Sequence, residues 1–479
     1  MTTLIIKFGG TSVGTTKALR QVACIVLQED PKWDHLAIVV SALSGVTDDL
    51  IRCTQAAVAG DEQSYHSIVA GLRARHHAVV HALAFANDER TQLLRSVDEY
   101  MDGLAALCRS VHVLGEVTAR ATDAITSLGE RISARIVAAL LRQFGVRSQA
   151  VDATELIVTD AKFQNAAPLM EETRARVQER LVPLLDAGFV PVVTGFIAAT
   201  QNGVTTTLGR GGSDYTAAIV GDCLDADEIW IWTDVDGVMT ADPRLVPDAR
   251  VIPVLSYSEV SELAYFGAKV LHPKTILLTV QRGIPVWVKN TFNPTYPGTC
   301  ILRDPNNSSA TIKAVTAIEG LSMVTIEGRG MLGVPGIAAR TFSAVASQGA
   351  SVLMISQASS EQSICFVIPT ATVSPVIRAI EEEMALELVR RDVDRVWSMD
   401  DVVIVTAVGA GMRNTPGIAA RIFGALGRAS INVIAVAQGS SECSVSLVVD
   451  AEASAEAVRR IHEEVILDGE GGQRSTGDP

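Results

Sequence analysis

The chain has 479 residues, 48% hydrophobic and 20% charged, the balance of a globular protein too long for one ordinary core, so two to four domains are expected. Forty basic against 54 acidic side chains leave a formal charge of −14, which argues against a nucleic-acid partner and an anionic membrane surface. Any anionic ligand must then be held by a local cluster of positive groups.

The seven cysteines are scattered and form no C-x-x-C pair, the pattern of reduced thiols. The N-terminus shows no basic-then-apolar leader, and no apolar run is long enough to span a bilayer; a soluble, cytoplasmic protein is expected.

Up to residue 303, short apolar runs alternate with helical patterns, the signature of an α/β fold with a mainly parallel sheet. Residues 4–8 read as a first buried strand, broken by Gly9-Gly10-Thr11-Ser12-Val13-Gly14, and 17–28 as a helix. A second strand at 36–40 runs into a loop at 41–47. From Asp48 to Gln143 almost everything has helical period, as an insertion or lid. Strands follow at 189–196 and 228–233, with a turn at Asn202-Gly203 between them. Residues 258–281 read as one long helix interrupted at His272-Pro273, and 284–288 as a last strand. The polar, turn-rich run 304–309 reads as a linker.

Beyond it lies an internal repeat. Pro335-Gly336-Ile337-Ala338-Ala339-Arg340 and Gln357 recur as Pro416-Gly417-Ile418-Ala419-Ala420-Arg421 and Gln438, at a constant offset of 81. Each copy reads strand, turn, helix, strand, tight turn, strand: a small α+β unit with an exposed sheet edge, expected to pair with its twin. The polar, glycine-rich tail at 469–479 reads as disordered.

Five stretches carry chemistry. Leu208-Gly209-Arg210-Gly211-Gly212-Ser213-Asp214 precedes an apolar helix, with Ser213 placed as its N-cap and Asp214 in its first turn. Its glycines let backbone N–H groups converge on an anion, and Arg210 adds a planar fork. Lys7 closes a buried strand beside Gly9 and Gly10, where open α/β sheets bind ligands, although the Walker order is absent. Glu130 sits in an apolar helical run, and periodicity alone favours a solvated charge. Thr233 and Asp234 end a strand in an Asp-Val-Asp-Gly turn. Lys269, in a glycine-interrupted helix, reads on its own as a solvated lysine.

K-F-G-G-T-S at Lys7, T-T-L-G-R-G-G-S-D-Y at Thr206, W-T-D-V-D-G-V at Trp232 and F-G-A-K-V-L-H-P at Phe266 together resemble aspartate kinase of the amino acid kinase family. The duplicated segment resembles its paired ACT regulatory domains, closest to threonine-sensitive forms. The resemblance implies an amino acid kinase domain at 1–303, a linker and first regulatory strand at 304–319, and ferredoxin-like ACT domains at 320–395 and 396–468. It further implies that the first regulatory strand belongs to the second ACT unit.

The implied reaction is ATP-dependent phosphorylation of the L-aspartate β-carboxylate, with Mg2+. By matching motif, Lys7 would hold the transferring phosphoryl group with Gly9 and Gly10. Ser41, Thr47, Glu130, Arg210 and Ser213 would hold aspartate. Asp214 would orient the lysines and metal-bound phosphates, no residue being assigned as a metal ligand, and Thr233, Asp234, Arg244 and Lys269 would contact nucleotide. Met239 stands where relatives often carry a tyrosine. An effector amino acid, threonine or lysine, would meet Met331, Gly336, Gln357, Met412, Gly417 and Gln438. A homodimer or homotetramer through the ACT edges is expected, as is a monofunctional chain. The competing readings are a kinase of the same family acting on glutamate or acetylglutamate, and a silent amino-acid sensor.

Overall fold

The computed structural model describes residues 1–266, 273–303, 311–331, 334–357, 362–413, 415–439 and 443–467. Lys269 and His272, the linker at 304–309, the turns at 359–361 and 440–442 and the tail at 469–479 lie outside the described residues. Two compact units result: Met1–Val238 with Pro253–Tyr257 and Val270–Pro305, and Met239–Ile252 with Ser258–Lys269 and Asn306–Pro479. Two segments that precede the linker thus belong with the second unit.

The strands of the first unit are β1 (Thr3–Phe8), β2 (His35–Val40), β3 (Ser148–Val151), β4 (Val158–Thr159), β5 (Val190–Thr194) and β6 (Ile197–Thr200). They continue with β7 (Thr205–Thr207), β8 (Glu228–Thr233), β9 (Val254–Ser256), β10 (Val286–Asn290) and β11 (Thr299–Leu302). Among the described residues these build an eight-stranded sheet, ordered β3-β5-β2-β1-β8-β10-β11-β9, and a small sheet β4-β6-β7. Every pair in the larger sheet is parallel except β10 with β11.

A parallel sheet is covered on both faces, so its strands are apolar throughout. Leu4, Ile5, Ile6 and Phe8 of β1 are all fully buried. Leu4, Ile6 and Phe8 pack with the helices Thr16–Glu29 and Leu128–Gln143. On the opposite face Ile5 and Ile229 close on Gly221 of the helix Gly212–Cys223. The helical stretch after β2 is real, running from Val46–Val58 to Leu128–Gln143.

Several local expectations change. The strand expected over 189–196 ends at Thr194, because Phe196 takes φ +67 and turns the chain into a separate strand that starts at Ile197. The helical period expected over 258–281 is described as the helices Tyr257–Tyr265 and Pro273–Arg282. The strand Val286–Asn290 is not the last, since β11 folds back on it. Ser213 does not cap its helix: Gly211, at φ +70, holds the cap position, and Ser213 is buried in the first turn.

The second unit contains β12 (Ala314–Glu327), β13 (Met354–Gln357), β14 (Ser363–Pro369), β15 (Arg395–Val408), β16 (Ala435–Gln438) and β17 (Ser444–Asp450). Among the described residues they form one antiparallel six-stranded sheet, ordered β13-β14-β12-β15-β17-β16. The two repeats meet at β12 and β15, and the register shifts near Leu321 let each long strand serve both copies. Ala314–Ile318 pair with the part of β15 that continues to β17, so the first regulatory strand lies with the second repeat. Each copy has its own core, one around Phe366 and Ile380, the other around Leu447 and Ile461.

The repeat extends to steric detail. A Cβ on Gly328 would lie 2.2 Å from Asp392 O, and one on Gly409 would lie 2.4 Å from Thr311 O. Gly427, in the helix Ile418–Arg428, has nothing within 4 Å of that position. Gly328→Ala and Gly409→Ala should each destabilise by roughly 1–3 kcal/mol through overpacking, whereas Gly427→Ala should stabilise by roughly 0.5–1 kcal/mol. Denaturant unfolding of the three variants checks this.

Candidate active site

The neighbouring parallel strands β2, β1 and β8 end together, releasing the loops that begin at Ser41, Gly9 and Asp234 on one edge of the sheet. Backbone contacts zip these loops. Gly9 N donates to Trp232 O (3.0 Å), Ser41 N to Phe8 O (3.2 Å), Ser44 N to Gly10 O (3.1 Å) and Thr291 N to Thr233 O (2.9 Å). A side chain at Gly10 would come within 3.1 Å of Ala42 O, so small residues are required where the loops cross. Ser12 Oγ, buried, lies 2.7 Å from Thr291 Oγ1 and joins the first loop to the end of β10.

Lys7 is only 9% exposed, and its Nζ lies 2.6 Å from Asp214 Oδ1. A buried ammonium needs a partner, and Asp214 supplies it from the first turn of the helix Gly212–Cys223. Nζ also lies 3.5 Å from where a Cβ on Gly9 would sit, so the bare glycine keeps the loop open beside the lysine. The helix N-terminus has no side-chain cap, which leaves its N–H groups available to an anion. Gly209 and Gly211, at φ +80 and +70, shape the turn that precedes it. Arg210, between them, is exposed and makes no hydrogen bond or ion pair among the described residues.

Glu130 corrects the solvated reading that periodicity favoured. It is 3% exposed, in the first turn of the helix Leu128–Gln143. Oε1 accepts from Ala42 N at 3.2 Å, and Oε2 is buried without a partner. Burial pushes its carboxyl up to about 8, against an ordinary 4.5. An orphaned acidic oxygen beside the β2 loop is suited to receive a cation that arrives with a ligand.

The structure links Lys7, Gly9, Gly10, Ser41, Glu130 and Asp214 through these contacts. Ser213 touches the same edge: its Oγ lies 2.7 Å from the Cβ position of Gly195, whose N donates to Val40 O. Thr47, half-buried, is the second residue of the helix Val46–Val58. Thr233 Oγ1 donates to Asp234 Oδ1 at 3.1 Å, and Asp236 accepts from Asn290 and Asn293, fixing that turn. Arg244 falls in the second unit, exposed and paired with Asp242. Met239, also in the second unit, bridges to Val251.

Three residues beside the glycine turn were not anticipated. Asp123 is 1% exposed and accepts from Thr207 N, Thr207 Oγ1 and Gln164 N, tethering the strand that leads into the turn. Lys274 donates to Asn165 and lies 5.9 Å from the Tyr215 ring centre, while Asn165 Oδ1 lies 3.0 Å from the Cβ position of Gly209. Their sequence signal was a lone acid in a short helix and a lysine after a proline, neither distinct from surface residues.

In the second unit, Gly336 and Gly417 occupy the cap positions of equivalent helices at φ +92 and +91, both lacking a side-chain cap. Met331 and Met412 are buried in the turns before them, and Gln357 and Gln438 end the two edge strands, exposed. No helix among the described residues is long and apolar enough to cross a membrane.

The amino acid kinase family model matches residues 2–290, and an ACT-domain model matches 324–384 and 405–465, again 81 apart. The bifunctional aspartokinase/homoserine dehydrogenase 1 of Arabidopsis thaliana is 37% identical over 96% of this chain and 51% of its own length. The chain spans about half the length of the curated relatives of this kind that it matches. Aspartokinase 2 of Arabidopsis thaliana, a chloroplastic protein, is 32% identical over 96% of this chain and 84% of its own. Aspartokinase III of E. coli with aspartate and ADP superposes with a TM-score of 0.79 at 27% identity, over 96% of this chain and 99% of that one. Its lysine- and aspartate-bound form gives 0.76 at 28%, over 97% and 99%. The chain belongs to the amino acid kinase family, among its aspartokinase members that carry ACT domains.

Proposed function

We propose that the chain transfers the γ-phosphoryl group of ATP to the β-carboxylate of L-aspartate, giving 4-phospho-L-aspartate and ADP. The observation that carries this reading is the buried Lys7–Asp214 pair at the strand ends, beside an uncapped helix N-terminus and the orphaned oxygen of Glu130. The E. coli structures hold aspartate with ADP and aspartate with lysine, and they lend the substrate and effector classes to the proposal.

Phosphoryl transfer requires positioning and charge neutralisation more than a covalent partner. The acceptor carboxylate is already ionised at neutral pH, so no general base is needed. Lys7 would neutralise the transferring group, with Gly9 and Gly10 supplying close backbone donors. Arg210, with no partner of its own, would take the aspartate α-carboxylate, and Glu130 its ammonium, with Ser41, Thr47 and Ser213 around them. Thr233 and Asp234 would border the nucleotide, together with Lys269.

Among the described residues no three acidic, histidine or cysteine side chains converge to hold a metal alone. A Mg2+ would arrive on the nucleotide phosphates and meet Asp214, adding charge neutralisation. Threonine or lysine would act at the turns capped by Gly336 and Gly417, with Gln357 and Gln438, and threonine is favoured by those glutamines. A homodimer or homotetramer would form through the ACT edges.

Coupled ADP release with Mg-ATP should depend on L-aspartate and fall on addition of threonine; turnover with glutamate or acetylglutamate alone would overturn the substrate. Lys7→Met should lower kcat by roughly 10²- to 10³-fold, as read by steady-state kinetics, and should also lower the melting temperature because Asp214 loses its ammonium. Glu130→Gln should raise the aspartate KM by roughly 10- to 100-fold, with a smaller effect on kcat.

The Glu130 carboxyl is raised in the folded state, so the unliganded protein binds an extra proton between the ordinary value of 4.5 and about 8. Its stability should therefore fall as pH rises across that window. Thermal melts at pH 6 and pH 8 should show this slope, and Glu130→Gln should flatten it. Aspartate should bind more tightly as pH approaches 8, because its ammonium selects the ionised form.

A further inference from the structure

The turns after the two long central strands of the second unit are related by the 81-residue repeat, and so is the chain that approaches them. Asp394 N donates to Glu327 O at 2.7 Å, and its counterpart Lys313 N donates to Val408 O at 2.8 Å. In the first copy the turn opens at Arg329, whose N donates to Asp394 Oδ2 at 3.2 Å, so the carboxylate comes from the residue preceding β15. In the second copy the turn opens at Ala410, and the residue equivalent to Asp394 is Lys313. The charge at the capping position is inverted, and an ammonium has no acceptor for a backbone N–H.

The missing carboxylate is supplied from elsewhere. Glu259, in the helix Tyr257–Tyr265, accepts from Ala410 N on Oε1 at 2.8 Å and from Lys313 Nζ on Oε2, also at 2.8 Å. The two side chains are 0% and 4% exposed. The same helix is fastened to the regulatory sheet at three more points. Ser444 Oγ donates to Glu262 Oε2 (2.7 Å), Tyr265 Oη to Val352 O and Leu353 O (3.2 Å each), and Thr316 Oγ1 to Phe266 O (3.0 Å). Phe266 is buried against Leu321, Met323, Val402 and Ile404 of the central strands. The chain enters this segment from the first unit after Tyr257 and returns to it at Val270.

We infer that Glu259 is a positioning residue that makes the second turn and this helix move as one body, so that an amino-acid effector acts on turnover through the second repeat. A ligand that rearranges residues 410–417 must shift a buried ion pair, and parting it would leave an uncompensated charge in the interior. The helix therefore follows the turn. The first repeat's turn takes its carboxylate from within its own sheet and does not load this helix in the same way. The inference rests on the reading of the chain as an effector-regulated kinase.

The test uses the full chain and two double variants. Glu259→Leu with Lys313→Met removes cap and link together and takes both charges of the pair away at once, an exchange that buried ion pairs often tolerate. Glu259→Leu with Lys313→Asp returns a carboxylate to the capping position from within the sheet, copying the first repeat, and cuts the tie to the helix, because leucine can neither accept from Ala410 N nor meet the new carboxylate. For each, ADP release with Mg-ATP and L-aspartate is measured without effector and in titrations with threonine and lysine. Calorimetry measures binding of the same two amino acids.

Both variants should keep effector-free turnover. The Lys313→Asp variant should bind effector as the parent does, while its half-inhibition concentration rises by roughly 5- to 150-fold, the range of a typical allosteric coupling. Parent-like inhibition in that variant, with binding retained, would overturn the inference and leave the pair a purely structural contact. A parent chain that makes no ADP with aspartate, or that ignores both amino acids, would instead overturn the functional reading beneath it, and the parent controls report this separately.

Discussion

A lysine that closes a buried parallel strand cannot stay charged there without an anion, and the Lys7–Asp214 pair is the constraint around which the first unit is arranged. It couples the end of β1 to the first turn of the helix Gly212–Cys223, so the glycine turn must arrive over the strand ends. Bringing that helix so close leaves no room for side chains at Gly195 or Gly212, where a Cβ would lie within 2.9 Å of neighbouring atoms. The pair thus fixes a lysine beside an open helix N-terminus at the strand ends, the kind of positive edge that a transferring phosphoryl group needs.

Glu130 adds the complementary charge problem. Its carboxyl is buried with one oxygen unpartnered, a state that costs stability when ionised in the free protein and that a proton or a cationic ligand group relieves. In the proposed reading, Glu130 and the exposed Arg210 would together take a ligand carrying both ammonium and carboxylate. Asp123 holds the strand leading to the glycine turn by three hydrogen bonds, and so maintains the site without facing a ligand.

In the second unit, duplication produced a continuous antiparallel sheet in which β12 and β15 serve both copies. Near-symmetry makes the exceptions informative. The glycines under the turns, the register of the preceding residues and the uncapped helices all repeat, whereas Asp394 and Lys313 do not. A single inverted charge obliges the second turn to borrow its carboxylate from a helix that precedes the regulatory sequence.

What the sequence determined by itself was whatever local periodicity and motif spacing encode. The parallel-sheet alternation, the strand at 228–233, the helical stretch after β2 and the 81-residue repeat all follow from patterns within short windows, as does the placing of Lys7 at a strand end and Asp214 in a first turn. Tertiary structure decided the rest. Strands such as β4 and β9 are too short to show a period, and Ser213 lost the cap position because Gly211 can adopt the left-handed backbone that the turn needs. Glu130 looked solvated because amphipathic spacing reports one helix face, not the second layer that covers it. The Glu259–Lys313 pair joins positions 54 apart, one in a helix and one just before a strand, and no local pattern marks it. Burial and long-range pairing are properties of the packed layers, and a charged residue's role depends on which of them closes over it.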